Sequence, residues 1–97
     1  MDERRRIGGT DFVWNVEKAE ATWRRRGIRF EDAATVFMDP LLVLIEAGRK
    51  GEDRDAVIGF DKLGRLLMVV HIEIQGDAIR IISARRAGRH EESLYAQ

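Results

Sequence analysis

The residue type with the widest chemical reach in this chain is arginine. Between Gly76 and His90 stand Arg80, Arg85, Arg86 and Arg89, against a single acid, Asp77. Arg4-Arg5-Arg6 and Arg24-Arg25-Arg26 form two further clusters. A guanidinium group stays charged and offers paired donors that match the oxygens of a phosphate. Placed on a rigid element, it can stabilise negative charge that develops in a transition state. One such donor is worth roughly 100- to 1000-fold in rate.

Arg85 is the foremost candidate, because it ends a predicted strand and precedes a predicted helix. Arg54, near the start of an earlier strand, and Arg80, within the last strand, join it on one sheet surface if the register allows. Lys18 is a further candidate phosphate contact, and Arg89 and Arg65 are candidate substrate-binding cations. Proton transfer falls to Glu91 or to an imidazole such as His90. The bland alternative is ion pairing: Glu52, Glu73 and Glu91 neutralise these arginines and no chemistry follows.

Other chemistries find less support. His71 and His90 are far apart in sequence and have no obvious third ligand, so metal-assisted hydrolysis is not expected. No cofactor is implied. Gly8-Gly9 and the pair Gly48 and Gly51 lack the strand-then-helix context of a phosphate loop. No Ser-His-Asp grouping stands out. Without cysteine there is neither a disulfide framework nor a thiolate metal site. The 17 basic and 17 acidic residues cancel, which argues against an undifferentiated nucleic-acid binder. The distribution is uneven, however. Residues from Glu46 to Asp61 are net acidic and the later part is basic, so a local positive field is possible at zero net charge.

These side chains need elements to aim them. Met1–Thr10 is polar, carries Gly8-Gly9, and reads as a flexible start or an untidy edge. Phe12-Val13-Trp14 is β-prone. Asn15 is a favoured N-cap, Glu17 suits the first turn, and Val16, Ala19 and Trp23 share one helical face. Gly27 closes that helix in the left-handed region. Phe30, Ala33, Ala34 and Phe37 repeat the spacing until Asp39-Pro40 stops it. Two helices across one glycine predict a helical hairpin, with Trp14 and Trp23 in the core.

Strands are predicted at Leu41–Ile45, Ala56–Phe60, Leu66–Ile74 and Ala78–Ala84. Polar turns separate them at Gly48–Asp53, Asp61–Gly64 and Gln75–Asp77. Alternation sets Val70, Ile72 and Ile74 against His71 and Glu73, which leaves His71 at the surface. It also sets Ile79, Ile81 and Ser83 against Arg80, Ile82 and Ala84. Short turns suggest an antiparallel meander, and Arg86–Gln97 reads as a terminal helix. The fold class is α+β: a twisted antiparallel sheet packed against an N-terminal helical hairpin, with a C-terminal helix.

At 97 residues the chain makes a single domain, 1–97, with ordinary globular composition at 44% hydrophobic. Its longest apolar runs, Leu41–Ile45 and Leu66–Val70, are too short to span a bilayer. Its first ten residues lack the apolar core of a signal peptide. No membrane partner is expected, and the composition fits a reducing, cytoplasmic setting.

Five ordered segments carry a family resemblance. Phe12-Val13-Trp14-Asn15 with Glu17-Lys18-Ala19 is similar to F-x-W-D/N-x-x-K, and Arg26 to Ala33 is similar to K-H-G-V-x-F-E-E-A. Val36-Phe37-Met38-Asp39-Pro40 is similar to V-F-x-D-P, and Glu52-Asp53-Arg54 with Ile58-Gly59 is similar to E-x-R-x-x-x-I-G. Arg80 to Arg85 with Ala87, Glu91 and Tyr95 is similar to R-I-I-S-A-R-x-A-x-x-x-E-x-x-x-Y. Over roughly Phe12 to Tyr95 the chain resembles the BrnT toxin family.

The resemblance implies an endoribonuclease toxin with a RelE-like fold. It also implies a BrnA-type ribbon-helix-helix antitoxin as partner, RNA as substrate, and contact with operator DNA only through the antitoxin complex. Metal-free RNA cleavage uses the ribose 2′-hydroxyl as nucleophile, and arginine suits the charge on the phosphorane. One departure is Arg26, where relatives usually carry histidine; a cation at a helix C-terminus is favoured there too. The competing reading is a non-catalytic module acting only through an antitoxin in operon autoregulation. RNA cleavage by the purified chain in EDTA separates the two.

Overall fold

The computed structural model describes residues 1–46 and 54–97. The polar turn expected at Gly48–Asp53, with Glu52 as a candidate counter-charge, lies outside the described residues. In chain order the elements are β1 (Asp2–Ile7), β2 (Thr10–Asn15), α1 (Val16–Arg26), α2 (Phe30–Ala34) and a 3-10 turn (Thr35–Met38). Then come β3 (Val43–Glu46), β4 (Asp55–Phe60), β5 (Leu66–Ile74), a short 3-10 turn (Gln75–Asp77), β6 (Ala78–Arg86) and α3 (Arg89–Tyr95). The strands form one sheet in the order β1-β2-β6-β5-β4-β3. Among the described residues only the β2–β6 pair is parallel. The fold is α+β, with a mixed six-stranded sheet and three α-helices among the described residues.

Two expectations are corrected. The sheet is mixed, not wholly antiparallel, and the chain opens on a β-hairpin where a flexible start and a helical hairpin were expected. The reason lies in Gly8 and Gly9, whose φ values of 59° and 81° are both positive. A two-residue turn of that hand matches the twist of the flanking strands, and Ile7 pairs with Thr10 across it. The arginines of β1 are partly neutralised. Arg6 lies 3.2 Å and Arg4 3.6 Å from Asp11, and Arg5 lies 2.8 Å from Glu3. Charge along an edge strand discourages pairing with another chain.

The helices follow β2. Asn15 caps α1 by accepting the Lys18 N–H at 2.9 Å. Gly27 closes it at φ 67°, its N–H bonded to the Trp23 carbonyl. The second helix is shorter than its apolar spacing suggests, because it tightens into the 3-10 turn at Thr35. That turn lies close against the sheet: a β-carbon added at Gly59 would sit 2.9 Å from Val36. Phe12, Trp14, Ile28, Phe30 and Val36 fill the space against Val57, Leu67, Val69, Ile81 and Ala84. Trp14 meets Phe30 edge-on at 6.1 Å.

The last helix sits elsewhere. Its Tyr95 ring meets Phe60 edge-on at 5.4 Å, and the Tyr95 hydroxyl donates to Asp39 at 2.7 Å. Asp39, which precedes β3, also accepts the Phe60 N–H at 2.8 Å.

His71 is a further correction, being buried (3% exposed) where alternation left it at the surface. Both faces of β5 are apolar, so alternation alone could not choose the inner one. Its ring stacks edge-on against Phe37 at 4.9 Å. Burial holds its pKa below the ordinary 6.5, against the pull of the Val69 carbonyl, Asp55 and Glu73. The folded state therefore keeps the ring neutral, while the unfolded chain takes up a proton near that value. Stability is full above the ordinary pKa and declines as pH falls below it. The urea midpoint is expected to drop between about pH 7.5 and about pH 5.5, and His71→Leu to flatten that slope. An unchanged slope in the variant would assign the pH dependence to other groups.

Candidate active site

The strand β6 carries an irregularity that decides which side chains meet. Against β5, Arg85 pairs with Met68, Ser83 with Val70, Ile81 with His71 and Arg80 with Ile72. One residue, Ile82, is extra between the Val70 and His71 pairings. Strict alternation would set Arg80 and Arg85 on opposite faces. The bulge returns both, with Ser83 between them, to the face opposite α2 and the 3-10 turn. The inner face keeps Ile81 and Ala84, both fully buried. The alternation expected from Ile79 to Ala84 is thus broken at Ile82.

Arg85 is held in place. Its Nη1 donates to Glu91 Oε1 at 2.7 Å and to the Arg86 carbonyl at 3.0 Å, and its Nη2 lies 3.5 Å from the Met68 sulfur. Glu91 also accepts the Gly88 N–H at 2.7 Å. The Arg85 guanidinium, followed by that backbone amide, holds the Glu91 carboxyl below the usual carboxylate range. A carboxylate engaged in this way can orient the guanidinium. Arg80 lies farther back on the same face, engaged by both oxygens of Asp2 at 2.8 and 3.2 Å.

A second group gathers where α1 runs beside β6. Lys18, Ala21, Thr22 and Arg25 fall at i, i+3, i+4 and i+7 and share one side of the helix. With Arg26, Arg54, Ile82 and Ser83 they line a cavity of about 320 Å³. Among the described residues that line it, four of eight are cationic and none is acidic. Arg26 also donates to the Ala84 carbonyl at 2.8 Å, joining the end of α1 to β6. Arg26, the departure from the family pattern noted above, is here a tie between helix and strand.

The remaining candidates lie apart. Arg65 donates to Asp61 at 2.9 Å and to the Gly27 carbonyl at 2.9 Å, and its Nη2 lies 3.8 Å from Asp32. It is largely buried (18% exposed side chain), while the Asp61 side chain is wholly buried. This network fastens the β4–β5 turn to the helices. Arg89 and His90 open α3 and are exposed. Trp14 is core, whereas Trp23 is 44% exposed beneath the Arg29 guanidinium, 4.0 Å from its ring.

The structure therefore brings Lys18 and Arg54 together, places Arg85 with Glu91 two residues along β6 from Ser83, and sets Arg65 elsewhere. Sequence reasoning passed over Thr22, Arg25 and Ser83. The helical spacing from Lys18 to Arg25 was a usable signal; the bulge that turns Ser83 outward left none.

Comparison with known proteins identifies the family and the fold. A family model described as the ribonuclease toxin BrnT of a type II toxin-antitoxin system matches residues 14–91. That span runs from Trp14 to Glu91 and takes in Lys18, Arg54, Arg80 and Arg85. The crystal structure of the Brucella abortus ribonuclease toxin BrnT aligns with a TM-score of 0.63 at 19% identity. It covers 78% of this chain and 94% of that one, a likeness of fold. No curated protein sequence matches the chain. No described helix is long and apolar enough to cross a membrane. On the family match, which takes in most of its length and both cationic groups, this chain belongs to the BrnT family of ribonuclease toxins of type II toxin-antitoxin systems.

Proposed function

We propose that the chain is a metal-independent endoribonuclease toxin that cleaves RNA in the cytoplasm, with Arg85 at the reacting phosphate. The observation that carries this reading is the bulge at Ile82, which puts Arg80, Ser83 and Arg85 on one face beside the cations of α1. In the reaction the 2′-oxygen bonds to phosphorus and loses its proton as the bond to the 5′-oxygen breaks and that oxygen takes one up. The products are a 2′,3′-cyclic phosphate and a 5′-hydroxyl.

Arg85 donates to the phosphorane oxygens, where added charge develops, and Glu91 keeps its guanidinium aimed. Lys18 and Arg54 neutralise the incoming backbone. Arg80, already engaged by Asp2, and the exposed Arg89 contribute field at the margin. Arg65, paired with Asp61 and bonded to the Gly27 carbonyl, serves the fold.

Arginine supplies charge stabilisation at a phosphate without a bound ion, and that chemistry is what supports the metal-free route. Cleavage by the purified chain is expected to persist in EDTA and to leave cyclic phosphate ends. Activity abolished by EDTA and restored by magnesium would overturn the mechanism.

Family membership implies an antitoxin. A BrnA-type ribbon-helix-helix protein fits the role. The toxin has zero net charge, which leaves operator binding to the complex; a specific promoter gel shift by the toxin alone would contradict that assignment.

A further inference from the structure

We propose that the cavity between α1 and β6 holds a phosphate adjoining the scissile one, with Arg25 as its principal ligand, and that the enzyme takes single-stranded RNA. The inference rests on the assignment of Arg85 to the reacting phosphate.

The two cationic groups are distinct. Lys18, Arg25, Arg26, Arg54, Thr22 and Ser83 line the cavity, while Arg85 and Glu91 stand outside its lining. Ser83 and Arg85 are alternate residues on one face of β6, so their backbones are about 6.6 Å apart along the strand. That interval is comparable with the spacing of neighbouring phosphates on one RNA strand. A substrate with one phosphate at Arg85 therefore brings the next to the mouth of the cavity.

The lining chemistry fits an anion. Arg25 offers a planar fork, Lys18 a point charge, and Thr22 and Ser83 hydroxyl donors. Arg26 is committed to the Ala84 carbonyl and fixes the distance between helix and strand instead.

The cavity also selects the form of the substrate. A space of about 320 Å³ between a helix and a strand edge admits part of one strand and excludes a duplex. Single strands are held by cationic grooves that track the backbone. An A-form duplex presents a wide, shallow minor groove to proteins instead.

The test uses the full chain and synthetic RNAs spanning a mapped cleavage site. Each RNA carries one uncharged methylphosphonate, either 5′ or 3′ of the scissile phosphate. With wild-type protein, one of the two substitutions is expected to lower kcat/KM by about 10- to 100-fold, the worth of a charge-assisted hydrogen bond. Arg25→Ala is expected to lower kcat/KM on the unmodified RNA by a similar factor, mainly through KM, and to be insensitive to that methylphosphonate. A fully duplexed form of the same RNA is expected to resist cleavage.

The proposal is overturned if neither methylphosphonate matters to the wild type, if the two losses multiply, or if the duplex is cut equally well. The catalytic reading fails by a separate result, full cleavage by Arg85→Ala, so the two failures are distinguishable.

Discussion

Arg85→Ala is expected to lower RNA cleavage by roughly 100- to 1000-fold while leaving the fold intact. The size follows from the role proposed for the guanidinium. Its donors lie at the end of a strand, held by Glu91 and the Arg86 carbonyl, so little reorganisation is needed when charge builds on the phosphorane. Alanine removes those donors and leaves the binding cations of α1 in place. The fold loses little by comparison. The Arg85 side chain is 39% exposed, and a solvent-screened pair contributes about 0–1 kcal/mol. Glu91 keeps the Gly88 N–H as a partner. Growth after induction, cleavage of a defined RNA and circular dichroism of the purified variant read the three consequences separately. A folded variant that still cuts RNA at the wild-type rate would remove Arg85 from the mechanism.

Trp14→Ala is expected to abolish toxicity by a different route, through loss of the folded state. The indole is 1% exposed, one of the largest fully buried side chains, and packs edge-on against Phe30. Emptying such a site costs about 3–5 kcal/mol, a large share of the roughly 5–15 kcal/mol available to a whole domain. In a chain of this size the melting temperature should fall by on the order of 10 °C or more. Trp23→Ala supplies the contrast, because the Trp23 ring is half in solvent and its main partner is the Arg29 guanidinium. Thermal unfolding followed by circular dichroism compares the two. Equal losses at the two tryptophans would show that the burial difference does not govern stability.

That contrast also shows what was legible in the sequence. Both tryptophans read as core, since residue type carries hydrophobicity but not direction, and only Trp14 faces inward. Local signals were informative: Asn15, Gly27 and Gly64 perform the turn and cap roles their types suggest. The β-hairpin at the start escaped because β1 lacks alternation; Arg4 and Arg6 are paired with Asp11 only once the hairpin forms, while Glu3 lies two residues from its partner Arg5. Gly8-Gly9 was the available signal, and it reads equally well as flexibility. The site was half legible. Arg85, Arg54 and Lys18 stood out as residue types, but their grouping depends on a parallel pairing between distant strands and on one inserted residue at Ile82. Neither leaves a periodic trace. Arg65 stood out for the same reason as the others, and its burial between Asp61 and Asp32 is a tertiary fact.

The parallel pairing of β2 with β6 bears on how the protein comes into being on the ribosome. Phe12 and Val13 must wait for Ile79 and Arg80 before that seam can close. At about 5–20 residues per second, translation of the intervening stretch takes on the order of several seconds. Throughout that interval β2 has only its hairpin partner β1, and the outer face that carries Ser83 and Arg85 does not yet exist. A nascent chain can therefore build its first hairpin and α1 without assembling the cationic surface beside the translation machinery. The strand that completes the sheet also carries Arg85, so on the proposed mechanism the reacting surface cannot exist before β6 is made. Pairings of such sequence separation are slow to form, which lengthens the window in which a newly made toxin is harmless.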